Sequence, residues 1–180
     1  MSKQTLIVNL LAGPGSGKST MAAAIFSELK YLGVDCELAP EYAKDLTWEK
    51  RHKTFENQIY LFGKQHHRIY RLVGQVDVVI TDSPILLTPI YDGEGRSELR
   101  QLVLSEYKKV QNYNVFVKRK KDFNPNGRNH TENEAIEIDK TIKFFLKNYN
   151  IPFQELDGTK ESVQHVIRVI YEQKGWSNTF

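Results

Sequence analysis

The sequence predicts an α/β protein in three layers, with a five-stranded parallel sheet between two layers of helices. Three observations carry this. Short apolar runs alternate along the chain with helical stripes, the pattern of a parallel sheet joined by crossover helices. A glycine cluster separates the first apolar run from the first stripe. Acidic residues stand directly after the second and third runs, where parallel strands deliver their C-terminal ends to a common rim.

The first run, 5–11 (TLIVNLL), reads as a strand. The stripe Ala22, Ile25, Phe26, Leu29 and Leu32 gives the first helix, which Gly33 stops. Residues 35–39 form a second strand ending at Pro40-Glu41. A long helix is expected over 53–73, with Phe55, Ile59, Phe62, His66, Ile69 and Val73 as its stripe and Gly74 as its end. The near-continuous apolar run 76–81 fits a strand buried on both faces. Prolines and glycines between 82 and 97 predict a loop with a short helix. A helix through Leu99, Leu102, Val103, Glu106 and Val110 leads into a fourth strand at 115–117. Residues 118–130 are polar and basic, with Asn-Pro and Asn-Gly steps, and predict a long loop. Thr131 and Glu134 make a capping box opening a helix with Ala135, Ile138, Ile142, Phe145 and Tyr149. A fifth strand at 153–156 and an amphipathic helix at 161–173 complete the chain.

The 180 residues suit one domain, since a domain averages roughly 150 residues. Hydrophobic residues make up 40%, which argues against a disordered chain. The single cysteine, Cys36, leaves no basis for a disulfide framework or a cysteine zinc module, and a cytoplasmic setting is expected. That would be the host cytoplasm if the gene is phage-borne. No apolar run approaches the roughly 20 residues of a membrane span, so no membrane partner is expected. Lys and Arg number 25 against 22 Asp and Glu, and a net charge of +3 neither demands nor excludes nucleic acid.

The most specific motif is Ala12-Gly13-Pro14-Gly15-Ser16-Gly17-Lys18-Ser19, a phosphate-loop pattern with Ala12 at its first glycine. Glycines let backbone N–H groups turn inward around a phosphate, and the following helix adds the positive end of its dipole. Gly13, Gly15, Ser16, Gly17, Lys18, Ser19 and Thr20 are therefore the expected nucleotide-binding residues. Lys18 reaches the β- and γ-phosphates, Ser19 sits on Mg²⁺, and Thr20 contacts the α-phosphate. Asp82 follows an apolar strand as a Mg²⁺-organising acid does, and Glu41 is placed to take a proton from an acceptor hydroxyl. The two roles are interchangeable at this level. In the basic loop, Arg119 and Arg128 suit neutralisation of charge on a transferred phosphoryl group. A solvated charge run or a grip on nucleic-acid phosphates are the competing readings. Phe55, Tyr60, Phe62 and Tyr70 read as core, as does His66. His66-His67 lacks a metal-ligand partner at useful spacing, so no zinc site is expected.

With these residues in view, the chain resembles the P-loop kinases of the nucleoside and nucleotide kinase superfamily. Within them it is similar to the group containing the nicotinamide riboside kinase domain and the phage kinases of hydroxymethyluracil in DNA. The resemblance runs in order through GPGSGKST (13–20), PEYAKD (40–45), VVITDSP (78–84), YNVFVKR (113–119), NGR (126–128) and ELDGT (155–159). It implies strand order 2-3-1-4-5, a lid at 118–131, an acceptor region at 41–97 and Mg-ATP as donor. It also implies Lys18, Glu41, Asp82, Arg119 and Arg128 as catalytic residues, with Ser19 and Asp82 on the metal. The acceptor is a nucleoside, nucleotide or nucleobase hydroxyl, or a hydroxymethylpyrimidine in modified DNA. The working form is a monomer or homodimer. A switch without an acceptor is the alternative from another class, although no guanine-reading Asn-Lys-x-Asp motif is present.

Overall fold

The structure is a computed structural model, and it describes residues 3–120 and 131–177. Five parallel strands form one sheet in the order β2-β3-β1-β4-β5. They are β1 (Leu6–Leu11), β2 (Cys36–Ala39), β3 (Val78–Thr81), β4 (Gln111–Val117) and β5 (Gln154–Leu156). The helices are α1 (Lys18–Tyr31), α2 (Tyr42–Trp48), α3 (His52–Phe55), α4 (Gln58–Tyr70), α5 (Thr88–Tyr91), α6 (Ser97–Tyr107), α7 (Glu132–Asn148) and α8 (Lys160–Lys174). A 3-10 turn spans Ile85–Leu87. No helix among the described residues is long and apolar enough to cross a membrane.

All six residues of β1 and all four of β3 are buried, so both strands are covered on both faces. Their apolar side chains join one core with α1, α7 and α8. The polar exceptions are Thr81 at the end of β3 and Asn9, which sits 3% exposed in the middle of β1. Asn9 is the one held across the sheet. Its Nδ2 donates to Asn112 Oδ1 at 2.9 Å and Asn114 Oδ1 at 3.0 Å on the neighbouring strand. This pairing satisfies a polar group that would be costly to bury alone. It also explains why β4 begins at Gln111 and not at 115. The polar residues Asn112 and Asn114 are strand residues whose hydrogen bonds go to the sheet interior, and an apolar reading misses them.

The expected helix over 53–73 is broken, and α2 precedes it. Lys50 adopts φ 56°, and the Arg51 amide donates to Leu46 O at 3.0 Å, the helix-ending arrangement usually built on glycine. Asn57 then caps α4, its side chain accepting from the Tyr60 amide at 3.0 Å. The buried face of α4 is Leu61, Phe62, Gln65 and Ile69. Ile59, expected in the stripe, is 55% exposed. Of the aromatics expected in the core, Phe62 is buried, Tyr60 is exposed, and Phe55 and Tyr70 are half-buried. His66 is half-buried, stacked on Tyr70 and 3.2 Å from Glu106 Oε2. Leu102 of α6 is likewise exposed, while Leu99 and Val103 are buried.

The capping box at Thr131 and Glu134 opens α7 as expected. The 92–96 loop after α5 is closed by Asp92, which accepts from the Arg96 amide at 2.8 Å and pairs with its guanidinium.

The shifted face of α4 has a measurable consequence. Ile69→Ala removes a side chain 1% exposed and is expected to cost about 2–5 kcal/mol by denaturant unfolding. Ile59→Ala is expected to stay within about 0.5 kcal/mol of wild type. Equal losses at the two positions would contradict the register of the helix.

Candidate active site

The sheet register brings three strand ends to one rim. Ala39 pairs with Thr81, and Thr81 with Asn9, so β1 runs two residues beyond its neighbour before entering the glycine loop. Gly15 and Gly17 have φ 79° and 99°, which side chains rarely adopt. Gly17 is the N-cap of α1, with no side-chain cap and no acid in the first turn. The first amides of α1 thus face an opening with no carboxylate in their own turn, as a bound anion requires. Ser16 Oγ is buried with no partner among the described residues.

Lys18 is half-buried, and Nζ donates to Gly13 O at 2.9 Å. Burial pulls its ammonium below the ordinary range, and the charges of Glu41, Asp82 and Asp139 push it back up. Glu41 follows β2, and its amide donates to Asp82 Oδ1 at 3.1 Å. Burial holds the Glu41 carboxyl above its ordinary value of 4.5, against the opposing pull of Lys18. Asp82 is 6% exposed, with one oxygen engaged by that amide.

Gln65 completes the support of Glu41. Its Oε1 accepts from the Tyr42 amide at 2.9 Å, and its Nε2 donates to Pro40 O at 3.4 Å. The peptide groups on either side of Glu41 are therefore held by one buried amide from α4. The signal was present in the sequence as a polar residue one turn from Leu61 and Phe62, on the apolar face.

A cavity of about 510 Å³ opens beside this cluster. Its lining includes Gly15, Gly17, Lys18, Ser19 and Thr20 from the loop and the start of α1, and Glu41, Asp82 and Ser83 from after β2 and β3. Tyr42, Phe55, Leu61, Gln65, Leu87 and Tyr91 line it as well. Ser19 and Asp82 both line the cavity and offer oxygen donors of the kind a hard cation such as Mg²⁺ prefers. Together with the open helix end, this donor set fits a magnesium-bound polyphosphate. Burial raises the Tyr91 phenol, with Glu41 and Asp139 adding to the effect.

Gly13 and Ser16, expected at the nucleotide, do not line the cavity. The Gly13 amide donates to Asp139 Oδ1 on α7 at 2.5 Å. Arg119 sits behind the loop, Nη1 donating to Pro14 O at 2.7 Å and Nη2 to Asp139 Oδ2 at 3.0 Å. Asp139 carried no motif in the sequence and was not anticipated. Lys118 and Lys120 pair with Asp157 in the turn after β5. Arg128 and most of the expected lid lie outside the described residues.

A five-stranded parallel sheet of order 2-3-1-4-5 with a phosphate loop after β1 is the P-loop NTPase fold, as the resemblance implied. Solved structures share it. The crystal structure of NadR protein in complex with NR aligns with a TM-score of 0.66 at 14% identity. That alignment covers 98% of this chain and 54% of the other, so the chain spans about half the length of that relative. The structure of deoxyadenosine kinase from M. mycoides with bound dATP aligns at 0.54 and 20% identity, covering 94% and 99%. At these identities the likeness concerns the fold. No curated protein matches the chain in sequence. The family model described as an AAA domain matches residues 8–164, from within β1 to within α8, and the chain belongs to that family.

Proposed function

We propose that the protein is a P-loop kinase that transfers the γ-phosphoryl group of Mg-ATP to a hydroxyl of a nucleoside- or nucleotide-type acceptor. The observation that carries this reading is that Lys18, Glu41 and Asp82 line one cavity together with the uncapped start of α1 and the aromatic side chains Tyr42, Phe55 and Tyr91. On this reading the chain is a single kinase unit over 1–180, with a lid at 118–131 and the acceptor bound within 41–97. The two similar structures, a kinase with dATP and a protein with NR, support a nucleoside-type acceptor.

The roles follow from the chemistry of each group. The amides at the start of α1 and the Lys18 ammonium bind the β- and γ-phosphate oxygens. Ser19 and Asp82 hold Mg²⁺, which supplies further neutralisation of the phosphates. Glu41 accepts the proton of the acceptor hydroxyl as the new P–O bond forms and the bond to the β-phosphate oxygen breaks. Glu41 suits the base because desolvation raises its proton affinity, whereas Asp82 has one oxygen committed to the Glu41 amide.

A second reading keeps the chemistry and puts the acceptor hydroxyl on a hydroxymethylpyrimidine in DNA. Trp48 favours it, since it is 67% exposed on α2 near the cavity-lining Lys44 and followed by Lys50 and Arg51. Lys118 and Lys120 speak less for it, being paired with Asp157.

The test is γ-labelled ATP with Mg²⁺ against nucleosides, nucleotides, nicotinamide riboside and DNA with and without hydroxymethylpyrimidines. Label in a free acceptor is expected, with Lys18→Ala lowering turnover about a hundredfold or more. Label only in modified DNA, with a KM that rises steeply with salt, would establish the second reading. Hydrolysis without transfer to any acceptor would make the protein a switch.

Glu41 gives a second test. A carboxyl whose folded-state value is raised costs stability once ionised, and the cost appears as pH rises through that raised value. Glu41→Gln is therefore expected to melt at or above wild type at pH 8 and level with it near pH 4. Its turnover is expected to fall about 10²–10⁴-fold. Wild-type turnover is expected to decline with falling pH above the ordinary carboxylate range. Undiminished turnover in Glu41→Gln would remove Glu41 as the base.

A further inference from the structure

Helix α7 meets the phosphate loop at two positions one turn apart. A Cβ placed on Gly13 would lie 2.5 Å from Ala135 O and 3.1 Å from Asp139 Oδ1. The loop backbone is therefore seated directly on α7, with room at Gly13 for hydrogen alone. The two oxygens of Asp139 divide their work. One takes the Gly13 amide at 2.5 Å, the other Arg119 Nη2 at 3.0 Å. Arg119 closes the ring by donating to Pro14 O at 2.7 Å. Both side chains are shielded, Arg119 at 12% exposure and Asp139 at 15%, and Arg119 Nε is buried without a hydrogen-bond partner among the described residues.

We infer that Asp139 is a positioning residue for nucleotide binding, joining helix α7, the phosphate loop and Arg119 into one unit that fixes the aim of the loop amides. This rests on the reading of the loop as a nucleotide site. It assigns to α7 a task that the loop motif alone does not contain.

Two effects of Asp139 oppose each other. As a carboxylate near a polyphosphate site it repels the ligand, and on that basis alone its removal would tighten binding. As the acceptor of the Gly13 amide it fixes the peptide from which the following amides fan out. Its ion pair with Arg119 turns a full charge into a short dipole, and the field of a dipole fades within a few ångströms. The two hydrogen bonds act directly on the loop and are charge-assisted, the stronger kind. Positioning therefore outweighs repulsion, and loss of Asp139 weakens binding. The neutral ring also places Arg119 at the loop before nucleotide arrives.

The test is calorimetric titration of the full chain with ADP, comparing wild type, Asp139→Asn, Arg119→Gln and the double variant, with thermal melts alongside. Asparagine keeps the shape and loses the charge. Asp139→Asn is expected to weaken ADP binding about tenfold or more. Arg119→Gln is expected to do likewise, and the double variant to lose less than the product of the two factors. Unchanged or tighter ADP binding in folded Asp139→Asn would overturn the inference, even with a lowered melting temperature, because a merely structural role moves only the melt. Single losses that multiply fully in the double variant would also overturn it. If Asp139→Asn does not fold, Asp139→Ser is read in the same way. Wild type that fails to bind ADP would bring down the nucleotide reading together with this inference. Wild type that binds, beside variants that bind equally, would bring down the inference alone.

Discussion

The burial of β1 on both faces and both edges is the constraint from which the site follows. Its six residues are shielded by helices above and below and hydrogen-bonded to β3 and β4 at the sides. A strand so enclosed has a fixed register, because a one-residue slip would exchange Asn9 with an apolar neighbour and leave its amide unpaired. With the register fixed, the level at which each neighbouring strand ends is fixed too. Gly13, Glu41, Asp82 and Arg119 then arrive at one rim from four different strands.

The rim concentrates charge that the exterior would disperse. Lys18 lies in the field of Glu41, Asp82 and Asp139, and Arg119 offsets part of the negative total. Desolvation lowers the proton affinity of Lys18 and raises that of Glu41. Both shifts press toward neutral forms in a protein without ligand, and a bound polyphosphate would reverse the pressure on Lys18. The backbone around Glu41 is held from three directions, by Asp82 and by both ends of the Gln65 amide. Positional support of this kind is what phosphoryl transfer demands, since the chemistry itself asks little beyond alignment and charge.

Much of this was legible in the sequence because local signals and long-range packing agree. The five strands and the helices α1, α7 and α8 follow from apolar periodicity and caps such as Thr131 with Glu134, while the strand order came only from the resemblance. Where the pattern misled, another interaction had taken over. The Asn57 cap divides a stripe that looks continuous, and Lys50 in a left-handed conformation ends α2 just before it. Asn112 and Asn114 extend β4 because their partner is a buried asparagine, not a hydrocarbon. Within the site, Lys18 stands out through the glycine-loop motif, and Glu41 and Asp82 because each comes just after a strand. Gln65, Tyr91 and Asp139 lie on helices and approach the rim only through tertiary packing. No spacing in the chain ties Asp139 to a glycine 126 residues earlier.

Amide hydrogen exchange of the full chain with and without Mg-ADP tests the central claim, that the strand ends and the start of α1 assemble one phosphate cradle. Protection is expected to concentrate at residues 13–20, with a lesser effect at 40–45 and 82–84, and to leave β5 and α8 unchanged. Binding of Mg-ADP with no protection at 13–20, or with protection centred elsewhere, would contradict it.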